Sequence, residues 1–181
     1  MKKLLSLLLA LVFVFGLIGC NRGEKNFEST VSYVGYIEGY EIWLGALNKE
    51  TFYESKVRHL PIFKFDTLDE FEGFQGAIGE ERLNGSYNEM PSFNENTAKY
   101  DEAFFEDNSL LLVYVAASSG SYRYDLHSVY RNENALCVHI EQTNSPEIAT
   151  DDMAGWFITV AVPDTFLEGC TVFDADLNNF S

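Results

Sequence analysis

The sequence predicts an α+β domain: an antiparallel β-meander sheet covered by one main helix. Three observations predict it. The last third of the chain holds short apolar or alternating runs separated by tight turn signals, the mark of hairpin-joined strands. One segment, 67–81, carries a helix start followed by apolar residues at helical spacing. Fifteen Phe, ten Tyr and two Trp supply enough apolar mass for a single core.

The helix is the clearest local element. Thr67-Leu68-Asp69-Glu70 forms a capping box, in which Thr67 caps the first amides and Glu70 reaches back. Leu68, Phe71, Phe74 and Ile78 follow as one apolar stripe. Residues 101–107 read as a short helix with Phe104 and Phe105 turned inward. Upstream, 31–44 is rich in aromatic and β-branched types and reads as strand or hairpin. Residues 46–53 read as a helical turn, and 60–65 as a short apolar segment.

Leu110–Ala117 is apolar on both faces, which marks a central strand. After the turn Ser118–Ser121, residues 122–131 alternate, placing Tyr122, Tyr124, Leu126 and Tyr130 on one side. After Asn132-Glu133-Asn134, residues 135–142 alternate again, with Leu136, Val138 and Ile140 on one face. Trp156–Val162 is a further strand and Cys170–Phe173 a last edge strand. Meander order is expected to bring the turn at 119–122 beside the loop at 150–156.

The first twenty residues carry an address. Two lysines precede an apolar run of about 15 residues, Leu4–Ile18, which ends in Leu17-Ile18-Gly19-Cys20. A spanning helix needs roughly 20 residues, so this run reads as a secretory leader. The final four residues resemble the lipobox of bacterial lipoproteins. That resemblance implies cleavage after residue 19 and a diacylglyceryl group on Cys20, with the domain held to the membrane through it. Two acyl chains anchor stably where one does not. Residues 20–29 read as a tether and 30–181 as a single domain. The whole chain resembles uncharacterised lipoproteins of clostridial type.

Lys2 and Lys3 leave with the leader, so ten of the twelve basic residues face twenty-eight acidic ones, a net charge of −18. Such a surface repels phosphate backbones, and no nucleic-acid partner is expected. Cys137 and Cys170 then remain, in a compartment that permits disulfides; the spacing leaves a bridge and two buried thiols both open.

No nucleophile elbow, phosphate loop or dinucleotide fingerprint is present, so no cofactor is expected and the domain reads as non-enzymatic. His59, His127 and His139 show no metal-ligand spacing. His127 and His139 are expected to face each other across a hairpin, on its polar side. Asp151 and Asp152 admit three readings: an acid/base pair, calcium ligands, or a carboxylate capping a turn.

The segments Asp107–Val115, Ser119-Gly120-Ser121-Tyr122 and Trp156–Val160 together resemble the C-terminal domain of PrcB, a lipoprotein subunit of a bacterial surface protease complex. The likeness spans residues 107–163, with Gly-Ser-Tyr where that family has Gly-Gly-Tyr. It implies a partner outside the cytoplasm, such as a secreted protease that the domain stabilises or restrains. Candidate partner-binding residues are Gly120, Tyr122, Arg123, Asp151, Asp152 and Trp156, because loops on a rigid sheet carry binding and Trp, Tyr and Arg are enriched at hot spots. Trp156 and Tyr122 at strand starts also suit plain packing. The alternative function is a sensor or solute-binding lipoprotein with an aromatic-lined pocket.

Overall fold

The computed structural model describes residues 27–37 and 58–178. Cys20, the expected leader, the later part of the 31–44 segment and the expected helical turn at 46–53 lie outside the described residues. The described chain is α+β, as expected, but its strands form two sheets. The first has the order β1 (Ser29–Tyr33), β7 (Ala154–Pro163), β4 (Asn108–Ala117) and β3 (Ile62–Phe65), all antiparallel. The second has the order β2 (Arg58–His59), β8 (Val172–Asn178), β6 (Ala135–Gln142) and β5 (Tyr124–Asn132).

The meander is therefore corrected. Among the described strands only β5 and β6 form a sequential hairpin. β7 does not follow β6 but crosses to the first sheet and pairs with β4 from Asn108↔Pro163 to Ala117↔Ala154. β8 is no edge strand: it lies between β2 and β6, parallel to β6. The chain changes sheets at a corner between β2 and β3. There Leu60 N–H donates to Ala175 O at 2.8 Å, and Tyr114 N–H to Pro61 O at 3.0 Å.

Side-chain alternation explains why two sheets are needed. β4 and β7 are buried on both faces. Leu111, Val113, Val115, Trp156, Ile158 and Val160 enter a core between the sheets. Leu110, Leu112, Tyr114 and Phe157 enter a second core beneath the helices. A strand apolar on both faces must be covered on both, and the result is three layers: helices, first sheet, second sheet. The strands β5, β6 and β8 bury one face only, and their other face is polar.

The cover is also more than one main helix. α1 (Leu68–Ile78) is the longest described, followed by α2 (Glu80–Leu83), α3 (Phe93–Thr97) and a 3₁₀ turn at Phe104–Glu106. α4 (Asp164–Leu167) follows β7. Thr67 caps α1, its Oγ1 accepting from Glu70 N–H at 3.3 Å. Glu70 reaches one residue further back than expected, to Asp66 N–H at 2.9 Å. α1 ends at Ile78 because Gly79 takes φ 93°. Phe71 is buried from it, while Phe74 and Ile78 pack at the core edge. Gly73 and Gly76 sit exposed inside α1, and a Cβ at either meets nothing within 4 Å. Each costs the helix about 1 kcal/mol relative to Ala. The capping box that the pattern places at 67–70 is found complete at Ser92 and Glu95 of α3 instead.

Two local expectations shift. The phase of β5 breaks at a bulge between Leu126 and Ser128. Val129 then points into the core, and Tyr130 turns outward onto His139, ring centroids 4.8 Å apart. Part of the segment read as tether belongs to the domain: Phe27 packs on Phe166 at 5.0 Å, and Ala161 N–H donates to Glu28 O at 3.0 Å.

Candidate functional site

The turn after β4 and the loop before β7 do lie together, by a route other than the meander. Because β4 and β7 are antiparallel neighbours in register to Ala117↔Ala154, the end of one meets the start of the other. A lattice of short polar side chains ties the two. Ser119 Oγ and Thr150 Oγ1 are 2.8 Å apart, and Ser121 Oγ and Thr150 Oγ1 3.1 Å. Gly120 N–H donates to Asp152 Oδ1 at 3.2 Å. Thr150 N–H donates to Ser121 Oγ at 3.3 Å. From the β6 side, Asn144 Oδ1 accepts from Arg123 N–H at 2.7 Å, and its Nδ2 donates to Ser121 O at 2.9 Å.

Asp152 thus acts as a cap, across the loops and not within its own turn. The Thr150 hydroxyl and then the Gly120 amide hold its carboxyl below the usual carboxylate range. Asp151 is exposed beside it. Gly120 lies close under both side chains: a Cβ would meet Asp152 Oδ2 at 2.9 Å and the Tyr87 hydroxyl at 3.2 Å, so a larger residue would displace the Asp152 carboxylate.

Under this lattice lies an aromatic cluster. Tyr33 packs on Tyr87 at 4.8 Å and edge-on to Trp156 at 5.3 Å; Tyr87 and Trp156 are 6.1 Å apart. The Arg123 guanidinium sits over Trp156 at 5.2 Å and over Tyr87 at 5.3 Å. Its Nη1 donates to Gly120 O at 2.7 Å and Tyr122 O at 2.8 Å. Burial, then the nearby Asp152 charge, raises the Tyr33 hydroxyl above its ordinary value.

The structure therefore sorts the six candidates. Gly120, Arg123, Asp152 and Trp156 come together as one unit. Trp156 is 0% exposed, so it supports the surface and is no contact residue in this arrangement. Its Nε1 is the buried side-chain nitrogen or oxygen without a hydrogen-bond partner among the described residues, which marks a ring placed for packing. Arg123 is spent internally on the same cluster. Tyr122 is half-buried against the core, and Asp151 faces solvent.

Sequence reasoning missed Ile148 and Met153. They are the exposed large hydrophobics among the described residues, at 87% and 57%, and both lie on the loop between β6 and β7. The available signal was two apolar residues inside a polar loop of residues 143–153. Their exposure is set by the tertiary structure, which leaves both side chains in solvent while Thr150 and Asp152 between them are tied down.

The histidines do not face each other. The bulge puts Ser128 opposite His139, so His127 Nδ1 meets Glu141 Oε2 at 3.2 Å while His139 Nδ1 pairs with Asp176. His59 Nδ1 is 2.9 Å from Asp174 Oδ1. All three pairs decorate the outer face of the second sheet. No group of three or more His, Cys, Asp or Glu among the described residues is placed to hold a metal ion. No described helix is long and apolar enough to cross a membrane.

Compared with known proteins, the chain matches no family model, no curated protein and no solved structure.

Proposed function

We propose that this chain is the precursor of a bacterial lipoprotein, cut before Cys20, whose tethered extracytoplasmic domain binds another protein without catalysis. The loop end opposite the α4 end of β7 is the binding surface. One observation carries the reading: Ile148 and Met153 are held out in solvent on a loop that is itself tied to Ser119, Gly120 and Ser121. Exposed apolar side chains on a fixed frame lose little entropy when covered, so their burial contributes to affinity. The filled aromatic cluster beneath favours this over a solute pocket, since Arg123 already occupies the faces of Trp156 and Tyr87. The resemblance of residues 107–163 to the PrcB domain supports a secreted protease as the partner class. The acidic balance supports a protein and not a nucleic acid.

Photo-crosslinking from position 153 in the envelope of the native host tests the site. One dominant protein adduct is expected, and Ile148→Asp with an intact fold abolishes it. Scattered adducts, or an adduct indifferent to Ile148→Asp, reject the reading. Intact mass of the native protein tests the anchor: an unmodified thiol at Cys20 removes it.

A further inference from the structure

We infer that the groove between α1 and α3, on the helical layer, is a second docking site, and that it takes a short basic, apolar-faced segment of a protein. It stands apart from the loop end and does not rest on the reading given there. The groove encloses about 540 Å³, within the range of built ligand sites. Its floor is apolar, made by Leu68, Phe71, Leu83 and Tyr100. Its rim is acidic, made by Glu72, Glu80 and Asp101, and among the described residues no lysine, arginine or histidine lines it. Asp101 is engaged at home, Oδ1 accepting from Phe104 N–H at 3.0 Å. Glu72 and Glu80 make no ion pair or side-chain hydrogen bond with any described residue. Two carboxylates without a cationic partner among the described residues, set above an apolar floor, complement an occupant with cationic and apolar sides.

The walls distinguish a peptide from a small amine. Gly76 on α1 and Ala98, just after α3, both line the groove. A Cβ at Gly76 would meet nothing within 4 Å, so internal packing does not ask for glycine there. The missing side chain at Gly76 leaves bare backbone on the groove wall, open to a close main-chain approach.

The test uses the full mature chain and a fluorescent fourteen-residue amphipathic peptide of leucine and lysine, read by anisotropy at physiological salt, where screening suppresses distant charges. The expected result is saturable binding that weakens about tenfold, ~1.4 kcal/mol, in the Glu72→Gln, Glu80→Gln double variant. A charge-matched Glu133→Gln, Glu168→Gln variant, on exposed turns away from both surfaces, is expected to bind as the parent does. Gly76→Leu, which fills the groove from α1, is expected to weaken binding with the thermal transition kept. Equal losses in the two double variants would show bulk charge alone and overturn the assignment. So would absence of binding by the parent chain, or a Gly76→Leu protein that folds and binds normally. Should Gly76→Leu fail to fold, the paired glutamine variants decide the matter.

Discussion

Gly155 and Gly35 approach so closely that a Cβ on Gly155 would lie 2.1 Å from the Gly35 carbonyl oxygen. The same Cβ would meet the Tyr114 hydroxyl at 2.7 Å. That hydroxyl accepts Ile37 N–H at 2.9 Å, and Val34 N–H donates to Gly155 O at 2.9 Å. The chain leaving β1 is thus pressed onto β7 at a point where no side chain fits. Gly155→Ala is expected to destabilise by about 2–3 kcal/mol, the cost of overpacking against backbone that cannot yield. Gly73→Ala in α1, where a Cβ meets nothing, is expected to stabilise by about 0.5–1 kcal/mol. Urea unfolding of the two variants reads opposite signs. Equal signs would mean that the crossing at Gly35 is wrongly placed.

Arg123 is expected to hold the loop end together. Its guanidinium covers Trp156 and Tyr87 while Nη1 bonds two carbonyls. Arg123→Met keeps the stem and loses the fork, with an expected cost of about 2–3 kcal/mol from charged hydrogen bonds and cation–π contact. Arg123→Lys is expected to recover less than half, since an ammonium cannot stack and fork at once. The near-ultraviolet signal of Trp156 should change in both. A variant as stable as the parent would show that Arg123 is an ornament of the surface.

Acid sensitivity follows from three carboxyls. Glu95 is lowered by the Ser92 amide and then the Ser92 hydroxyl, and Asp152 by Thr150 and then Gly120. For Asp66 burial pushes upward, but Lys64 and Ser109 together outweigh it and the net direction is down. A carboxyl lowered in the fold stabilises above its unfolded value, about 4. That stability is lost as pH falls through the lowered value, because the unfolded chain then binds more protons. The melting temperature should therefore fall as pH drops below about 4, and the fall should be shallower in Glu95→Gln. Parallel pH profiles for parent and variant would contradict this.

Cys137 and Cys170 are expected to stay unbridged even under oxidising conditions. Cys137 stands opposite Asp174 in the parallel β6–β8 register, and Cys170 lies four residues before Asp174. The strand from Val172 to Asp174 alone separates them by ~6–7 Å along β8 at ~3.3 Å per residue, with the turn at 170–171 beyond it, which already reaches the ~7 Å limit of a bridge. Both are free thiols. Burial pushes the Cys137 thiol up, and although the Tyr130 hydroxyl pulls the other way the net direction is up, so its alkylation at pH 8 should be slow until urea is added. A non-reducing peptide map containing a 137–170 link would refute the register of β8.

Local pattern made much of the domain legible. Thr67 announced the start of α1, the double-faced run from Leu110 announced a central strand, and Leu136, Val138 and Ile140 announced the buried face of β6. The adjacency of Gly120 and Asp152 was anticipated, though from an order of strands that the fold does not have. Ile148 and Met153 escaped notice because exposure of a loop residue depends on what the rest of the chain leaves uncovered.

What the chain alone determined is what depends on neighbours in sequence: period, caps, turns, and which faces must be dry. What the tertiary structure decided is which strand edges meet. β7 joins β4 and not β6, since both are apolar on two faces and only a position between two cores covers them. β8 enters parallel to β6 for the same kind of reason, its Phe173, Ala175 and Leu177 completing the core between the sheets. Edge hydrogen bonds are alike for any strand, so burial of both faces across distant segments selects the pairing, and no local period encodes that.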